Sequence, residues 1–328
     1  MSEVEFINRW KAEKRLYEAW GKYVTDAILC RLSELKLPKP VDEFIKIPPV
    51  PRLKTDSSLL EKAFYRVGKS YTDPYRQITD KVGVRFVVLL ERDIDVVRKA
   101  VEDHPKWISS RDRDFDVERE DHPEVFGYQS VHFVVKARTD IPCDGITVPA
   151  DTPCEVQIRT LLQHAHSELT HDTIYKPKTN ASSLTKRYCS RSMALIEIAD
   201  DFFVRVMEQI DKAGEPLRQA MEHLASTFRS AVGVEPEASR LNTLILDAYE
   251  DRLSDVRTDE FAAFLRDRPY IAKHIAERAP NHLLFRQPAV LLIYYLAQAA
   301  PRETRRQWPL TPSELQLIYE DLGQRFEA

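Results

Sequence analysis

At 328 residues, 43% of them apolar and 30% charged, the chain is long enough for one large domain plus an appendage, or two modest domains, and apolar enough to bury a core. A formal net charge of -4 excludes a globally basic nucleic-acid binder and leaves only local basic patches open. Cys30, Cys143, Cys154 and Cys189 form no CxxC pair and no Cys/His cluster, no apolar run reaches the roughly 18 residues of a membrane span, and the start lacks the apolar stretch of a secretory signal. A cytoplasmic protein with reduced thiols and no membrane partner is expected. Only 8 glycines imply few tight turns and much helix.

Taken in chain order, Ser2 and Glu5 form a capping box ahead of apolar residues at helical spacing, from Phe6 and Trp10 through Trp20 and Val24 to Leu35. This predicts one long helix within residues 1–40, packed on the main domain, with Arg9, Lys11, Lys14, Arg15 and Lys22 on a solvated face. The proline-rich residues 47–54 read as a linker. Asp56 or Ser57 then caps a helix that turns Leu59, Leu60, Ala63 and Val67 inward, with Arg52 and Lys54 just before it and Lys62 and Arg66 along it. Bases around a helix start favour phosphate, although many surface helices look similar.

Residues 80–90, DKVGVRFVVLL, read as a buried strand with Asp80 at its entrance and Arg85 inside it. Charges in such a run are unusual unless paired or functional. An amphipathic helix follows over 93–104, then a strand or loop to about Glu120. A strand over 126–138 opens at Gly127 and Tyr128 and carries His132. In CEVQIRT, residues 154–160, Val156 and Ile158 alternate with Glu155, Gln157 and Arg159, so one strand face presents an acid, an amide and a base. The segment alone fits an exposed edge strand as well as a site floor.

A helix over 160–176 places His164, Glu168 and His171 on one face. Its histidines lack third and fourth ligands at metal-site spacing. Between 176 and 191 lie Lys176, Lys178, Lys186, Arg187 and Arg191 and no acid, a candidate phosphate or nucleic-acid contact. A long helix over about 181–213 is expected to turn Leu195, Ile198, Phe202, Phe203 and Val206 inward. Beyond Gly214 strand signals stop, and five short helices are expected, the last with Thr311 as N-cap and Pro312 at its first turn.

Read together, R-x-K-x(3)-S-x(3)-K (Arg52 to Lys62), D-x-x-G-x-R (Asp80 to Arg85), G-Y-x-S-x-H (Gly127 to His132) and E-x-Q-x-R-T (Glu155 to Thr160) resemble the synthetase domain of the RelA/SpoT-type alarmone synthetases. The order of the four motifs is the specific signal. The resemblance implies an α+β fold, a nucleotidyltransferase-like mixed sheet flanked by helices over residues 41–213; it says nothing of residues 214–328, which their own pattern reads as an all-helical interaction or regulatory module. It implies transfer of the β,γ-pyrophosphate of ATP to the 3′-hydroxyl of GDP or GTP. It also implies Mg²⁺ held by Asp80 and Glu155, the latter as second ligand or as base toward the hydroxyl. Arg52 and Arg85 match the arginines that stack on the ATP adenine, and Lys54, Ser58 and Lys62 the positions that hold the triphosphate. Tyr128 matches the tyrosine that stacks on the acceptor base, with His132, Gln157, Arg159 and His164 facing the same nucleotide.

Two departures bear on the acceptor. Where the family commonly has a lysine four residues before the tyrosine, this chain has Glu124, and an acid there repels a diphosphate. Arg66 follows Lys62 by four residues rather than the three seen in some small synthetases. The 3′-terminal adenosine of tRNA, an adenine nucleotide, or no acceptor at all in a silent RNA-binding regulator therefore stand as alternatives. About 50 residues precede the region, so the hydrolase domain of bifunctional relatives is not expected.

Overall fold

The structure is a computed structural model that describes residues 1–65, 71–113, 130–170, 182–237 and 239–326. The chain divides into two compact units, Met1–Val206 and Met207–Ala328.

The first unit opens with helix α1, Glu3–Glu34, whose capping box is formed in both directions: Ser2 Oγ accepts from the Glu5 N–H and Glu5 accepts from the Ser2 N–H. Its apolar stripe is fully buried at Phe6, Trp10, Trp20, Val24, Ile28 and Leu32, each side chain contributing about 1.5–3 kcal/mol of apolar burial. Leu35, expected to complete the stripe, is instead the exposed C-cap, because the chain leaves helical geometry there. Gly21 lets α1 approach closely: a Cβ at that position would stand 2.7 Å from Val82 and 2.9 Å from Pro51.

After a short helix α2, Val41–Phe44, the expected linker contains a two-residue strand β1, Arg52–Leu53. Helix α3, Asp56–Leu60, is capped by Thr55 rather than by Asp56 or Ser57, since the Thr55 hydroxyl accepts from the Ser58 N–H; it runs on into a π-helical turn, Glu61–Tyr65. Val67 and Arg66 lie outside the described residues. A turn of helix α4, Pro74–Gln77, leads into β2, Val82–Val88, followed by α5, Glu91–Glu102, and β3, Trp107–Arg113. Then come β4, Val131–Ala137, a hairpin of β5, Ile141–Cys143, and β6, Ile146–Val148, then β7, Pro153–Thr160, and α6, Leu161–Thr170. The hairpin turns at Asp144 and Gly145, both at positive φ, the geometry that Asp-Gly pairs favour.

The five-stranded sheet has the order β1-β2-β7-β4-β3. Only β2 and β7 run parallel, with Gly83 beside Glu155 and Arg85 beside Gln157; the other pairs are antiparallel. The strand that carries Glu155 is therefore the central one, and the exposed-edge alternative is excluded. Helices α1 and α5 cover the sheet and share its core with Val84, Phe86, Val156 and Ile158.

Helix α7, Ser183–Val232, departs most from expectation. It does not stop near Ala213, because Gly214 remains helical; the left-handed residue that ends it is Gly233, at φ 71°. Residues 217–232, expected as a separate helix, are its C-terminal third. In the first unit its buried face is made by Met193 and Asp200, while Leu195, Ile198, Phe202, Phe203 and Val206 are all exposed, not inward. The buried face is polar in part: Asp200 accepts from the Thr160 hydroxyl at 2.7 Å, and His166 Nε2 meets the Ser192 hydroxyl at 3.0 Å. Those bonds fix the rotation of the helix and send its apolar stripe outward.

The regular elements of the second unit's described residues after α7 are all helical: α8, Arg240–Ala248; α9, Asp259–Arg266; α10, Pro269–Arg278; α11, Val290–Ala299; α12, Pro301–Gln307; and α13, Pro312–Asp321, with two 3₁₀ turns, Glu250–Arg257 and Leu283–Arg286. The stretch expected as one helix over 258–279 breaks at Arg268, where Pro269 starts a new one. Helix α11 is apolar on nearly every side and is the centre of this core. Asp321 ties α13 to it, accepting from Tyr294 and Arg278 at 2.5 and 2.7 Å. Among the described residues no helix is long and apolar enough to cross a membrane.

Candidate active site

The parallel pairing of β2 with β7 sets the site. Strand alternation puts Glu155 and Gln157 on one face and Val156 and Ile158 in the core on the other. On the same side, β4 contributes His132, which pairs in register with Gln157. Asp80 lies just before β2, where the chain enters the sheet, and α3 and its π-turn bring Ser58 and Lys62 to it from the opposite side.

A cavity of about 310 Å³ opens here. Its wall includes Arg52, Lys54, Ser58, Asp80, Arg85, Glu155 and Gln157, seven of the residues singled out in the sequence. Lys62 and His132 reach it through their partners. Lys54 Nζ donates to Asp80 Oδ2 at 2.5 Å, and Lys62 Nζ lies 2.7 Å from the same oxygen. The other oxygen, Oδ1, is buried and accepts no hydrogen bond. Burial pushes the Asp80 carboxyl up, but the two ammonium groups outweigh it and hold it below its ordinary value of 3.8.

Glu155 is treated the same way by other means. Burial raises its pKa, and so does the Asp80 charge; His132 Nδ1 at 3.1 Å and the Gln157 amide, donating at 3.0 Å, pull it down to a net value below the ordinary 4.5. Both acids are thus ionised at neutral pH, close enough to feel one another. Gln157 is itself held by Arg159, whose Nη2 donates to its Oε1 at 2.6 Å. Arg159 is fully buried and stands behind Gln157 rather than on the cavity wall.

Arg85 forms the link to α6. Its Nη1 lies 3.1 Å from His164 Nδ1 and donates to Glu168 Oε1 at 2.9 Å, while its Nε donates to Gln157 at 3.4 Å. Burial, with Arg85 and Arg159 nearby, lowers the His164 pKa below 6.5 and keeps the ring neutral at pH 7. Glu168 was visible in the sequence only as a member of a helix face; its pairing with Arg85 spans 83 residues and leaves no local signal. Thr55, whose hydroxyl donates to Ser58 Oγ at 2.9 Å, is a second residue that the motifs did not single out. Tyr128 and Glu124 lie outside the described residues, as do His171, Lys176 and Lys178.

The first unit is thus an α+β fold, a mixed five-stranded sheet flanked by helices, with two ionised carboxylates and their basic partners around one cavity. Residues 51–180 match the family described as the region found in RelA / SpoT proteins, and helices outside that match follow it. The fold is that of the small alarmone synthetase 1 from Bacillus subtilis, at 20% identity and a TM-score of 0.50 over 62% of this chain and 99% of that one. The same Bacillus subtilis enzyme bound to its product pppGpp is similar at 21% identity and a TM-score of 0.51, over 62% of this chain and 98% of that one. No curated protein sequence matches the chain.

Proposed function

We propose that the first unit transfers the β,γ-pyrophosphate group of ATP to the 3′-hydroxyl of GDP or GTP, releasing AMP. The observation that carries this reading is the pairing of Asp80 with Lys54 and Lys62 in one cavity with Glu155. A ribose hydroxyl is a weak nucleophile and ATP carries about four negative charges, so the reaction needs a base near the hydroxyl and cations for the phosphates. In the transfer the 3′-oxygen bonds to the β-phosphorus, the bond from that phosphorus to the α,β-bridging oxygen breaks, and AMP leaves with that oxygen.

The residues assort by reach. Lys54 and Lys62 turn from Asp80 to the triphosphate, and Ser58 donates its hydroxyl to the same phosphates. Arg52 and Arg85 offer planar guanidinium groups to the adenine. Glu155, kept ionised by His132 and Gln157, accepts the proton of the attacking hydroxyl on a carboxylate oxygen. Gln157 and His164 face the acceptor, with Arg159 orienting Gln157 from beneath and Tyr128 stacking on the acceptor base.

Magnesium belongs to this reading. Asp80 Oδ1, buried with no hydrogen-bond donor, suits a cation, and no group of three or more His, Cys, Asp or Glu side chains is gathered as a metal cluster among the described residues. That donor set fits an ion that takes one or two carboxylates and completes its shell with water and phosphate. Asp80 and Glu155 would hold it, and when bound it would neutralise charge on the phosphates.

The test is to incubate the protein with Mg²⁺ and ATP labelled on the γ-phosphate, offering GDP, GTP, ATP or deacylated tRNA. Label on GDP or GTP is expected. Label on tRNA alone replaces the guanine acceptor with an RNA end, a second reading favoured by the exposed bases Lys186, Arg187 and Arg191 at the start of α7. Transfer to none of them overturns the enzymatic reading.

A further inference from the structure

Lys81 follows Asp80 in the chain and is absent from the cavity wall. It is 1% exposed, and its ammonium is enclosed by α1 and α4 instead. Nζ donates to the Ile78 carbonyl at 2.7 Å and lies 4.7 Å from the centre of the Tyr75 ring and 5.3 Å from that of Tyr17. The box is completed by Glu13, which accepts from the Tyr75 hydroxyl at 2.8 Å, and by Arg9, which stacks on Tyr75 at 4.1 Å and donates to Glu13 at 2.9 Å.

An ammonium in such a place is expensive. One carbonyl and two ring faces replace only part of its hydration, and among the described residues no carboxylate lies within ion-pair distance of it. An unbranched apolar side chain would fill the same space at lower cost. What the lysine adds is closure. Its side chain bonds back over three residues to Ile78, stapling the turn 78–81 that holds Asp80. Its own main-chain carbonyl accepts from the Lys54 N–H at 2.9 Å, and Lys54 is the residue whose ammonium meets the Asp80 carboxylate. One residue therefore fixes both members of the Asp80–Lys54 pair, one through its side chain and the other through its backbone.

We propose that Lys81 is a positioning residue of the transfer site, and that the box of Tyr17, Tyr75 and Glu13 makes helix α1 part of the support of Asp80. This rests on the reading of Asp80 given under Proposed function. Lys81 touches neither nucleotide; it acts by holding the turn. The effect of losing it therefore falls on the triphosphate side of the site and spares the acceptor side, where Glu155, Gln157 and His164 are held by β7 and α6.

The experiment compares Lys81→Met, which keeps the unbranched stem and removes the charge, with Lys81→Arg, which keeps a donor cation. Three quantities are read: the melting temperature, site-resolved amide hydrogen exchange, and calorimetric affinity for Mg²⁺ with an ATP analogue methylene-bridged between its α- and β-phosphates. In Lys81→Met the melting temperature is expected to hold or rise, because a buried charge has been removed. Exchange at Lys54 and residues 79–82 is expected to speed up about tenfold while β7 and β4 keep their protection. Affinity for the analogue should fall about tenfold, with the acceptor KM within about twofold of the parent, and Lys81→Arg should regain most of both losses. Unchanged exchange at Lys54 and residues 79–82 overturns the proposal. So does faster exchange spread evenly over the whole unit, which marks ordinary destabilisation. A parent that binds no nucleotide refutes the transfer reading instead, and the exchange data still decide whether Lys81 anchors Asp80.

Discussion

Replacing Asp80 by Asn changes one oxygen for an amide and leaves the shape of the site intact. In the parent, one carboxylate oxygen receives two ammonium groups at 2.5 and 2.7 Å, with all three side chains less than a third exposed. A charge-assisted hydrogen bond of this kind contributes about 1.5–3 kcal/mol, and the asparagine oxygen can keep one of the two, so the variant should lose roughly 2 kcal/mol. For a unit of this size each kcal/mol moves the melting temperature by about 2–4 °C, which gives a drop of roughly 4–8 °C. The pH dependence carries the sign. The Asp80 pKa is lower in the folded state than its ordinary 3.8, so its stabilisation is fully present above about pH 4 and disappears as pH falls below 3.8 through the folded-state value. Thermal unfolding of parent and Asp80→Asn, followed without nucleotide from pH 7 downward, should show the gap at neutral pH and its narrowing in acid. Equal melting temperatures at pH 7, or a gap that persists unchanged below the folded-state pKa, would refute the idea that the two lysines stabilise the fold through the Asp80 charge.

Other substitutions separate chemistry from packing. Glu155→Gln keeps an acceptor for His132 and should slow transfer by about 10²–10⁴ while the melting temperature moves little; steady-state rates with GDP check it. At Gly83 a Cβ would sit 3.4 Å from the Glu155 carbonyl and 3.5 Å from its carboxylate, ordinary van der Waals contact, so Gly83→Ala should remain folded in circular dichroism with turnover little changed, whereas the larger Gly83→Val should crowd Glu155 and lower turnover. Phe202→Ser, at an exposed position, should change chemical-denaturation stability by no more than about 0.5 kcal/mol, whereas Met193→Ala on the buried face of the same helix should cost about 2–5 kcal/mol.

That last contrast also marks where the sequence was hard to read. The period of apolar residues in α7 is plain, but periodicity gives a face without saying what lies against it. The neighbour that decided the matter was polar: His166 and Thr160 bond to Ser192 and Asp200, and those partners lie 26 and 40 residues away. Helix α1 was legible because its signals are local, a capping box and a stripe of large apolar residues whose burial stabilises the helix wherever it docks. The alternation of CEVQIRT was equally legible, but its central place in the sheet depends on pairing with Val82–Val88 and Val131–Ala137, which no residue inside the segment announces. The Asp144–Gly145 hairpin had a usable local signal, a favoured turn pair between short β-prone runs. The residues that line the cavity were singled out through motif order. What that order did not reveal was the wiring between them, from Lys81 beneath Asp80 to Glu168 beyond Arg85.

Two ionised acids facing a polyanion pose an electrostatic problem, and the register of the sheet answers it. Parallel pairing puts Gly83 beside Glu155, where the absence of a side chain leaves open the space that both carboxylates border. Around that space Arg52, Lys54, Lys62 and Arg85 set four bases against Asp80 and Glu155, so the cleft is locally cationic although the chain carries a net charge of -4. The field in such a cleft draws phosphate and weakens as salt is added. The lysines that compensate Asp80 are also the cations nearest to where a triphosphate would lie. On the proposed reading, phosphate oxygens would take up Lys54 and Lys62, and the Asp80 carboxylate would lose its two partners while keeping a buried, unbonded oxygen, which would raise its demand for a cation. Nucleotide and divalent ion should therefore bind with positive cooperativity, each tightening the other by the same factor.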